Sequence, residues 1–223
     1  MKHRNRVEFE VSGRYALFTD PITKAGGERF TLPVPTYEAI KGILRSVYCD
    51  RSFEWVVDSV RVMNPIRTES MSVVRRKYRA DGSELSVYTY LRDVRYKVQA
   101  HFEESGTVEL DEDKHFSIAK RMLRKGGRYE AFLGTKDCPA DIKESTFCDD
   151  SGHYDNSGTE DFGLMYHGMT YPTDINGKEG ELYSRLWHCV MENGIIRFPK
   201  PQDCIFTRYV RSCTTSEKRY ELV

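Results

Sequence analysis

The sequence predicts an α+β fold, and three observations lead to this prediction. Several segments alternate between polar and apolar residues, as strands with one buried face do. Two other segments carry apolar residues at helical spacing and begin at residues that favour helix starts. The 223 residues are 39% hydrophobic and 30% charged, which is typical of a globular chain and not of a disordered one.

The first strand and the first helix are predicted near the beginning of the chain. Val7, Phe9 and Val11 alternate with charged residues, which indicates a half-buried strand. Thr36 then follows a proline and can cap a helix whose apolar face runs towards Tyr48. The segment between these elements is predicted to be a loop.

Two more strands and a second helix are predicted next. Val60 and Val62 belong to a second strand, and residues 85–102 form a long third strand. The basic stretch 71–83 between them is interpreted as an exposed loop or hairpin tip. Residues 111–125 form the second helix, which Asp111 or Asp113 can cap and Gly126 can end in the left-handed conformation. Residues 130–135 can form a further strand.

The order strand, helix, strand, strand, helix, strand is that of the ferredoxin-like fold, which RNA-recognition domains share. We therefore predict a ferredoxin-like domain over residues 1–139, with both helices on one face of an antiparallel sheet. Residues 140–223 are predicted to form a small antiparallel β domain or extension. Its acidic segment 141–161 is interpreted as a linker or mobile loop, and Asn193-Gly194 indicates a tight hairpin turn.

Charge is unevenly distributed, although 34 basic and 34 acidic residues balance over the chain. Residues 61–97 hold nine Lys or Arg against four Asp or Glu, and residues 114–136 hold seven against one. Residues 141–181 hold two against ten. This pattern favours a local face that binds a polyanion, although either basic block could also be ordinary solvated surface.

Other classes of site find no support in the residue spacing. The six cysteines are scattered, which argues against a zinc site and against a disulfide scaffold and favours free thiols in a cytoplasmic protein. His153, His167 and His188 show no metal-ligand or hydrolase spacing. No apolar run approaches a membrane span, and the basic N-terminus lacks the apolar core of a signal peptide. We expect no metal, no cofactor and no membrane partner.

Lys114 and His115 lie in the first turn of the second predicted helix. Positive charge is disfavoured at that end of a helix, so a neutral histidine there could act as a general base. On spacing alone, His115 can also extend the apolar stripe that includes Ile118 and Ala119. That second interpretation is the more common one for such a residue.

Several stretches resemble, in the same order, those of the CRISPR-associated RAMP proteins, specifically the Cas-five family of the Dvulg (I-C) subtype. They cover nearly the whole chain and are Val11-Ser12-Gly13, Ala16-Leu17-Phe18-Thr19, Pro21 with Thr23-Lys24, Val34-Pro35-Thr36 leading to Gly42-Ile43, Asn64 to Glu69, Lys114-His115, Arg124 to Arg128, Phe132 to Thr135, Gly163 to His167 and Tyr171-Pro172.

This resemblance implies an activity and three site residues. Members of the subtype cut the repeat RNA precursor without metal and stay bound to the product, whereas most Cas-five relatives only hold the 5′ handle of a guide RNA. The family's cleavage residues match Tyr48, Lys114 and His115, although Tyr37 lies in the same helix as Tyr48. The two hypotheses are therefore a repeat-RNA endoribonuclease and a non-catalytic RNA-binding subunit.

The resemblance and the charge pattern together suggest where RNA binds. The glycine-rich loop of RAMP proteins matches Gly126-Gly127, and we expect flanking cations to contact phosphates. The expected RNA-binding residues are Arg124, Lys125, Gly126, Gly127 and Arg128 after the second helix, and Arg75, Arg76 and Lys77 in the other basic stretch. The implied partners are CRISPR repeat RNA, mature guide RNA, double-stranded DNA and other subunits of a Cascade-type complex.

Overall fold

Ten strands form one largely antiparallel sheet in the computed structural model, which describes residues 5–21, 23, 28–76, 81–105, 109–172 and 180–212. Two α-helices are found in these residues: α1 (Tyr37–Val47) and α2 (Glu112–Lys125). The strands are β1 (Arg6–Ala16), β2 (Arg29–Phe30), β3 (Phe53–Val62), β4 (Thr68–Arg76), β5 (Ser83–Glu104), β6 (Asp141–Glu144), β7 (Thr159–Thr170), β8 (Glu181–Glu192), β9 (Ile195–Arg197) and β10 (Phe206–Ser212). The general prediction of an α+β fold is confirmed.

The order of strands across the sheet is β10-β8-β9-β3-β5-β1-β6, with β2 and β4 paired to β5 and β7 paired to β8. Only the short β2–β5 pairing is parallel among these strands. The 22-residue strand β5 pairs with β1 and β3 along one part and with the β4 hairpin along another. β5 therefore extends from the part of the sheet that contains β4 to the part that contains β1 and β3.

Both helices begin, and α2 also ends, at residues that were predicted to cap them. The Thr36 side chain accepts from the Ala39 amide at 3.3 Å, and the Asp111 side chain accepts from the Lys114 amide at 3.1 Å. Gly126, with φ of 88°, ends α2 in the left-handed conformation that lacks a Cβ penalty. Tyr48 follows α1 in an extended conformation.

A hydrophobic core fills the space between the helices and the sheet. The buried faces of the helices include Ile40 and Leu44 of α1 and Leu123 of α2. They pack with buried residues of the central strands, such as Val98 and Phe102 of β5. This packing fixes the relative positions of the end of α1 and the beginning of α2.

One predicted strand is not formed. Residues 130–135 were expected to be a strand, but Phe132 makes only an isolated bridge with Pro139. Gly134 adopts φ of 93°, and a Cβ there would lie 2.1 Å from the Leu17 carbonyl oxygen. The chain therefore turns where the pattern had predicted extended backbone, and β6, some ten residues later, pairs with β1 instead.

The acidic segment 141–161 is not the linker that its composition predicted. It begins with β6, and Asp149 and Asp150 pair with the buried ammonium of Lys97. Asp155 accepts from the guanidinium of Arg61 at 2.6 Å. The clustered carboxylates thus neutralise cations that the sheet would otherwise bury without partners.

Two hairpins connect the remaining strands. The long third strand is confirmed as β5. Residues 71–76 of the basic stretch 71–83 belong to β4, and Arg76 lies opposite Ser83 of β5. Lys77 lies outside the described residues. Asn193 and Gly194 have φ of 47° and 79°, which confirms the predicted tight turn between β8 and β9.

In the described part of the chain, no helix is both long and apolar enough to span a membrane.

Candidate active site

Tyr48 and His115 are brought together where α1 ends and α2 begins. The phenolic oxygen of Tyr48 lies 2.8 Å from Nδ1 of His115, and the two rings are nearly parallel with centroids 5.9 Å apart. The residues are only 6% and 5% exposed. His115 therefore faces the interior as the helical spacing predicted, yet it contacts the tyrosine that the family resemblance selected.

The turn between α1 and β3 adds two residues that the sequence did not single out. The Ser52 hydroxyl oxygen lies 3.2 Å from Nε2 of His115 and donates to an Asp50 carboxylate oxygen at 2.8 Å. The Ser52 amide donates to the same carboxylate at 3.0 Å. Spacing could have suggested only a local Asx turn from Asp50 and Ser52, because nothing in the linear sequence links them to a histidine more than 60 residues away.

Aromatic packing holds the pair in place. The Phe53 ring packs edge-on against His115 with centroids 5.4 Å apart, and it also contacts Tyr48. The indole N–H of Trp55 donates to the Tyr48 carbonyl oxygen at 2.7 Å. The backbone and the rings at the site are thus both fixed by neighbours on β3.

Charged groups around the pair act on it in opposite directions. Burial and the nearby Asp50 carboxylate raise the pKa of Tyr48, and the Arg128 guanidinium opposes that shift. Burial opposes ionisation of Asp50, but hydrogen bonds from Ser52 outweigh it, and His115 and Lys114 also help to lower the Asp50 pKa. Asp50 is therefore a carboxylate at neutral pH.

The predicted residues Lys114 and Arg128 are exposed beside this buried pair. The Arg128 amide donates to the Ser46 and Val47 carbonyl oxygens at 3.1 and 3.2 Å, so the loop after α2 lies against the end of α1. The Arg128 guanidinium lies 5.4 Å from the centroid of the Tyr129 ring. An anionic ligand near Tyr48 would meet these cations.

The two glycines of this loop have an intramolecular reason to be glycine. The Gly127 amide donates to the Met122 carbonyl oxygen at 2.9 Å, and its φ is 112°. A Cβ at Gly127 would lie 3.0 Å from the Tyr129 carbonyl oxygen. Together with Gly126, it completes the helix end whether or not RNA lies against it.

The other predicted basic residues are distributed between two places. Arg124 donates to Glu144 of β6 at 2.7 Å, although its side chain stays largely exposed. Arg75 donates to Glu84 at 2.6 Å in the β4–β5 hairpin, where Arg76 is exposed. The hairpin and the Tyr48–His115 pair lie at opposite ends of β5, so the structure does not join the two basic clusters into one site.

The three other histidines considered in the sequence analysis lie elsewhere. His167 stacks on Tyr37 with ring centroids 4.1 Å apart, so Tyr37 belongs to another cluster than Tyr48. His188 contacts Asp161 at 2.8 Å on the surface, and His153 packs edge-on against Tyr154. Within the described residues, no three His, Cys, Asp or Glu side chains are grouped so that they could hold a metal ion.

The fold and the site define a class of protein: an α+β chain with a tyrosine–histidine pair suited to proton transfer beside cations suited to a polyanion. The family described as CRISPR-associated protein (Cas5), subtype Cas5d, matches residues 7–199, and the chain belongs to this family.

Individual relatives agree with this assignment. The chain is 27% identical to the CRISPR pre-crRNA endoribonuclease Cas5d of Mannheimia succiniciproducens, over 87% of this chain and 95% of that protein. It is 28% identical to the protein of the same name from Thermus thermophilus, over 60% of this chain and 62% of that one.

Two solved structures are similar over 91% of this chain and 96% of theirs. One is a CRISPR-associated protein, with 30% identity and a TM-score of 0.72. The other is a functionally uncharacterized protein from Streptococcus mutans, with 32% identity and a TM-score of 0.74.

Proposed function

We propose that this protein is an endoribonuclease that cleaves CRISPR repeat precursor RNA at a stem-loop and stays bound to the guide RNA. The observation that carries the proposal is the 2.8 Å hydrogen bond between Tyr48 and His115, adjacent in sequence to the exposed Lys114. Membership of the Cas5d family and the name of its relatives as pre-crRNA endoribonucleases support it.

The chemistry requires three groups around one phosphate. The 2′-hydroxyl oxygen attacks the adjacent phosphorus and loses its proton to a base, while the bond to the 5′ oxygen breaks and that oxygen takes up a proton. The products are a 2′,3′-cyclic phosphate and a 5′-hydroxyl. A cation lowers the barrier by stabilising the negative charge that develops on the phosphate oxygens.

The site residues can take these roles. His115 and Tyr48 form the proton-accepting side, since an imidazole can hold a proton near neutral pH and the phenol contacts it directly. Lys114 supplies positive charge from the surface of the first turn of α2. Because these groups supply the base and the cation, and water can protonate the leaving 5′ oxygen, we propose that the reaction needs no metal or other cofactor.

We propose that RNA runs along the loop after α2, where Lys125, Arg128 and the Gly126-Gly127 backbone are accessible. Arg124 would contribute less because Glu144 already pairs with it. Arg75 and Arg76 of the distant hairpin, together with Lys77, would hold a second part of the nucleic acid, such as a stem or double-stranded DNA.

The finer architecture supports the same proposal. Four strands lie in the order β6-β1-β5-β3, with α1 between β1 and β3 in the chain and α2 between β5 and β6. We propose that they form a ferredoxin-like sheet of order 4-1-3-2. We propose that residues 1–139 form a RAMP domain that holds the active site, with β6 of residues 140–223 completing its sheet. A cytoplasmic location and assembly with other subunits of a Cascade-type complex complete the proposal.

A second candidate function is a non-catalytic subunit that holds the 5′ handle of the guide RNA. The observation that favours it is the burial of the pair, because both ring nitrogens of His115 already contact side-chain hydroxyls. Such a protein would bind the repeat RNA through the same cations without cutting it.

One experiment separates the two functions. The purified chain is incubated with a CRISPR-repeat stem-loop RNA in excess EDTA, and the products are analysed for a 2′,3′-cyclic phosphate end. A matched RNA with a 2′-deoxy nucleotide at the cut site should bind equally well and remain intact, because the nucleophile is missing. Binding without cleavage of the all-ribose RNA would establish the non-catalytic function instead.

A further inference from the structure

Asp50 and Ser52 lie behind His115 as seen from Tyr48, and they belong to neither family motif nor RNA-binding loop. The contacts form one chain of hydrogen bonds from the Asp50 carboxylate through Ser52 and His115 to the Tyr48 phenol, with lengths of 2.8, 3.2 and 2.8 Å. Which ring nitrogen of His115 donates and which accepts depends on its tautomer, and the carboxylate at one end of this series constrains that choice.

The number of protons that these groups carry fixes which atom donates and which accepts in each of the three hydrogen bonds. A carboxylate only accepts, so the single proton of the Ser52 hydroxyl points to Asp50. The Ser52 oxygen can then meet Nε2 of His115 only as an acceptor, which requires the ring proton to be on Nε2. Nδ1 of a neutral His115 consequently carries a lone pair and accepts from the Tyr48 hydroxyl.

We propose that Asp50 and Ser52 are positioning residues that keep neutral His115 protonated on Nε2 and thereby direct its basic nitrogen, Nδ1, at Tyr48. The inference rests on the proposed endoribonuclease function, and within it we place the Tyr48 hydroxyl next to the attacking 2′-hydroxyl of the RNA. As the 2′-hydroxyl proton moves to the Tyr48 oxygen, the Tyr48 proton moves to Nδ1, and the positive charge formed on His115 is stabilised by Asp50 through Ser52. In the same step the 2′ oxygen bonds to phosphorus, the bond to the 5′ oxygen breaks, and that oxygen takes a proton from water, so no oxidant, reductant or other co-reactant is needed.

The backbone around the turn keeps the two positioning residues in place. The buried Ser52 donates its amide to Asp50 at 3.0 Å, and its carbonyl oxygen accepts from the Ser105 amide at 3.0 Å. Ser105 follows the end of β5, so the turn is attached to the central strand of the sheet. Such attachment holds the serine in hydrogen-bonding distance of His115 without RNA.

Ser52→Ala and Asp50→Asn test the proposal, with Ser117→Ala as the matched control. Ser117 lies two residues after His115, and its exposed hydroxyl donates only to the Asp113 carbonyl oxygen of the same helix. We expect single-turnover cleavage of the repeat stem-loop to fall about 10- to 100-fold in both test variants, the usual effect of losing a partner that orients a histidine. RNA affinity should stay unchanged, Ser117→Ala should cut at the wild-type rate, and Ser52→Thr should restore cleavage.

A spectroscopic readout distinguishes positioning from a merely structural role. In protein labelled with ¹⁵N-histidine, the ring nitrogen shifts of His115, assigned with His115→Gln, report which nitrogen is protonated. We expect Nε2 protonation in the wild type and a mixture of both tautomers in Ser52→Ala and Asp50→Asn. A wild-type ring protonated on Nδ1, or variants with unchanged ring shifts and unchanged cleavage, would overturn the inference. If the wild type failed to cut RNA at all, the proposed function would fail, while the ring shifts would still decide how His115 is held.

Discussion

Two buried tyrosine–histidine pairs lie at opposite ends of α1 among the described residues, and we propose only one of them as an active site. Tyr48 follows the end of α1 and hydrogen-bonds His115, whereas Tyr37 begins α1 and stacks on His167 of β7. His167 is fully buried, and its Nε2 contacts the Pro199 carbonyl oxygen at 3.0 Å. Its Nδ1 finds no hydrogen-bond partner among the described residues.

The surroundings of the two pairs differ in charge as well. Near His167, Arg185 and Lys41 are buried and lie 3.7 and 3.0 Å from the carboxylates of Glu38 and Glu54. Near His115, the cations Lys114 and Arg128 are exposed. A buried histidine beside a tyrosine is therefore not sufficient to indicate a site. The proposed site differs in two ways. The Ser52 hydroxyl connects His115 to the Asp50 carboxylate on one side, and exposed cations lie on the other.

The largest expected effect comes from removing either histidine. His115→Ala should lower the cleavage rate by roughly 10²- to 10⁴-fold, the range for a lost general acid or base, with little change in RNA affinity. His167→Ala should leave the cleavage rate of folded protein unchanged and reduce the free energy of unfolding by about 2–4 kcal/mol, because it opens a cavity beside Tyr37. Single-turnover kinetics and chemical denaturation measure both. Loss of folding in His115→Ala, with normal cutting by the remaining folded fraction, would reverse the two assignments.

Acid conditions should reveal His167 through stability. Burial, opposed by the Pro199 carbonyl, lowers the pKa of His167 to about 4 in the folded protein, whereas a histidine in the unfolded chain has a pKa of about 6.5. Above pH 6.5 both states are neutral and the group has no effect. As the pH falls towards 4, only the unfolded chain gains the proton, so folding loses up to about 3 kcal/mol.

Denaturation curves at several pH values between 7 and 4.5, recorded for the wild type and His167→Gln, measure this slope. The glutamine variant should lose stability less steeply over this interval. Equal slopes in the two proteins would show that His167 is protonated in the folded state.

The next largest effect on the cleavage rate is expected from replacing the tyrosines. Tyr48→Phe removes the hydroxyl that contacts His115 and should slow cleavage by about 100-fold, near the lower end for a group that transfers a proton. Tyr37→Phe leaves the stacking on His167 intact and should cut RNA at the wild-type rate. If Tyr37→Phe were the slower enzyme, the catalytic tyrosine would be the one at the start of α1.

The smallest effect per residue is expected from neutralising the exposed cations, and it concerns RNA binding. Neutralising Arg124, Lys125 and Arg128 together should weaken RNA binding and flatten the log–log dependence of affinity on salt by about 0.7–0.9 for each lost phosphate contact. Neutralising the buried Lys41 should lower stability instead and leave that slope unchanged. An unchanged slope in the triple variant would place the RNA on the hairpin that holds Arg75 and Arg76.

Local sequence signals predicted much of this fold because they act over a few residues. The caps at Thr36 and Asp111, the glycine end of α2 and the Asn193-Gly194 turn are all short-range interactions, and each is found as predicted. The strand predicted at residues 130–135 failed for a long-range reason. Its alternation is compatible with a strand, but close contact of Gly134 with Leu17 makes the chain turn.

Composition misled the interpretation of residues 141–161 because a count of charges ignores their partners. The buried cations that those carboxylates neutralise, such as Lys97 of β5 and Arg61 of β3, lie far away in sequence. For the same reason, the sequence did not identify Asp50 and Ser52 as neighbours of His115. Family resemblance could select Tyr48, Lys114 and His115, but only the folded chain brings the turn after α1 behind the histidine.

The loop after α2 donates the Arg128 and Tyr129 amides to carbonyl oxygens at the end of α1, which a helix otherwise leaves without partners. The segment expected to hold RNA therefore also fastens the helix end that precedes the tyrosine. In kinetic terms, the Tyr48–His115 hydrogen bond exists before a substrate arrives, so cleavage by the proposed mechanism should begin without a lag. Binding energy from the RNA can then be used to orient the scissile phosphate instead of assembling the protein around it.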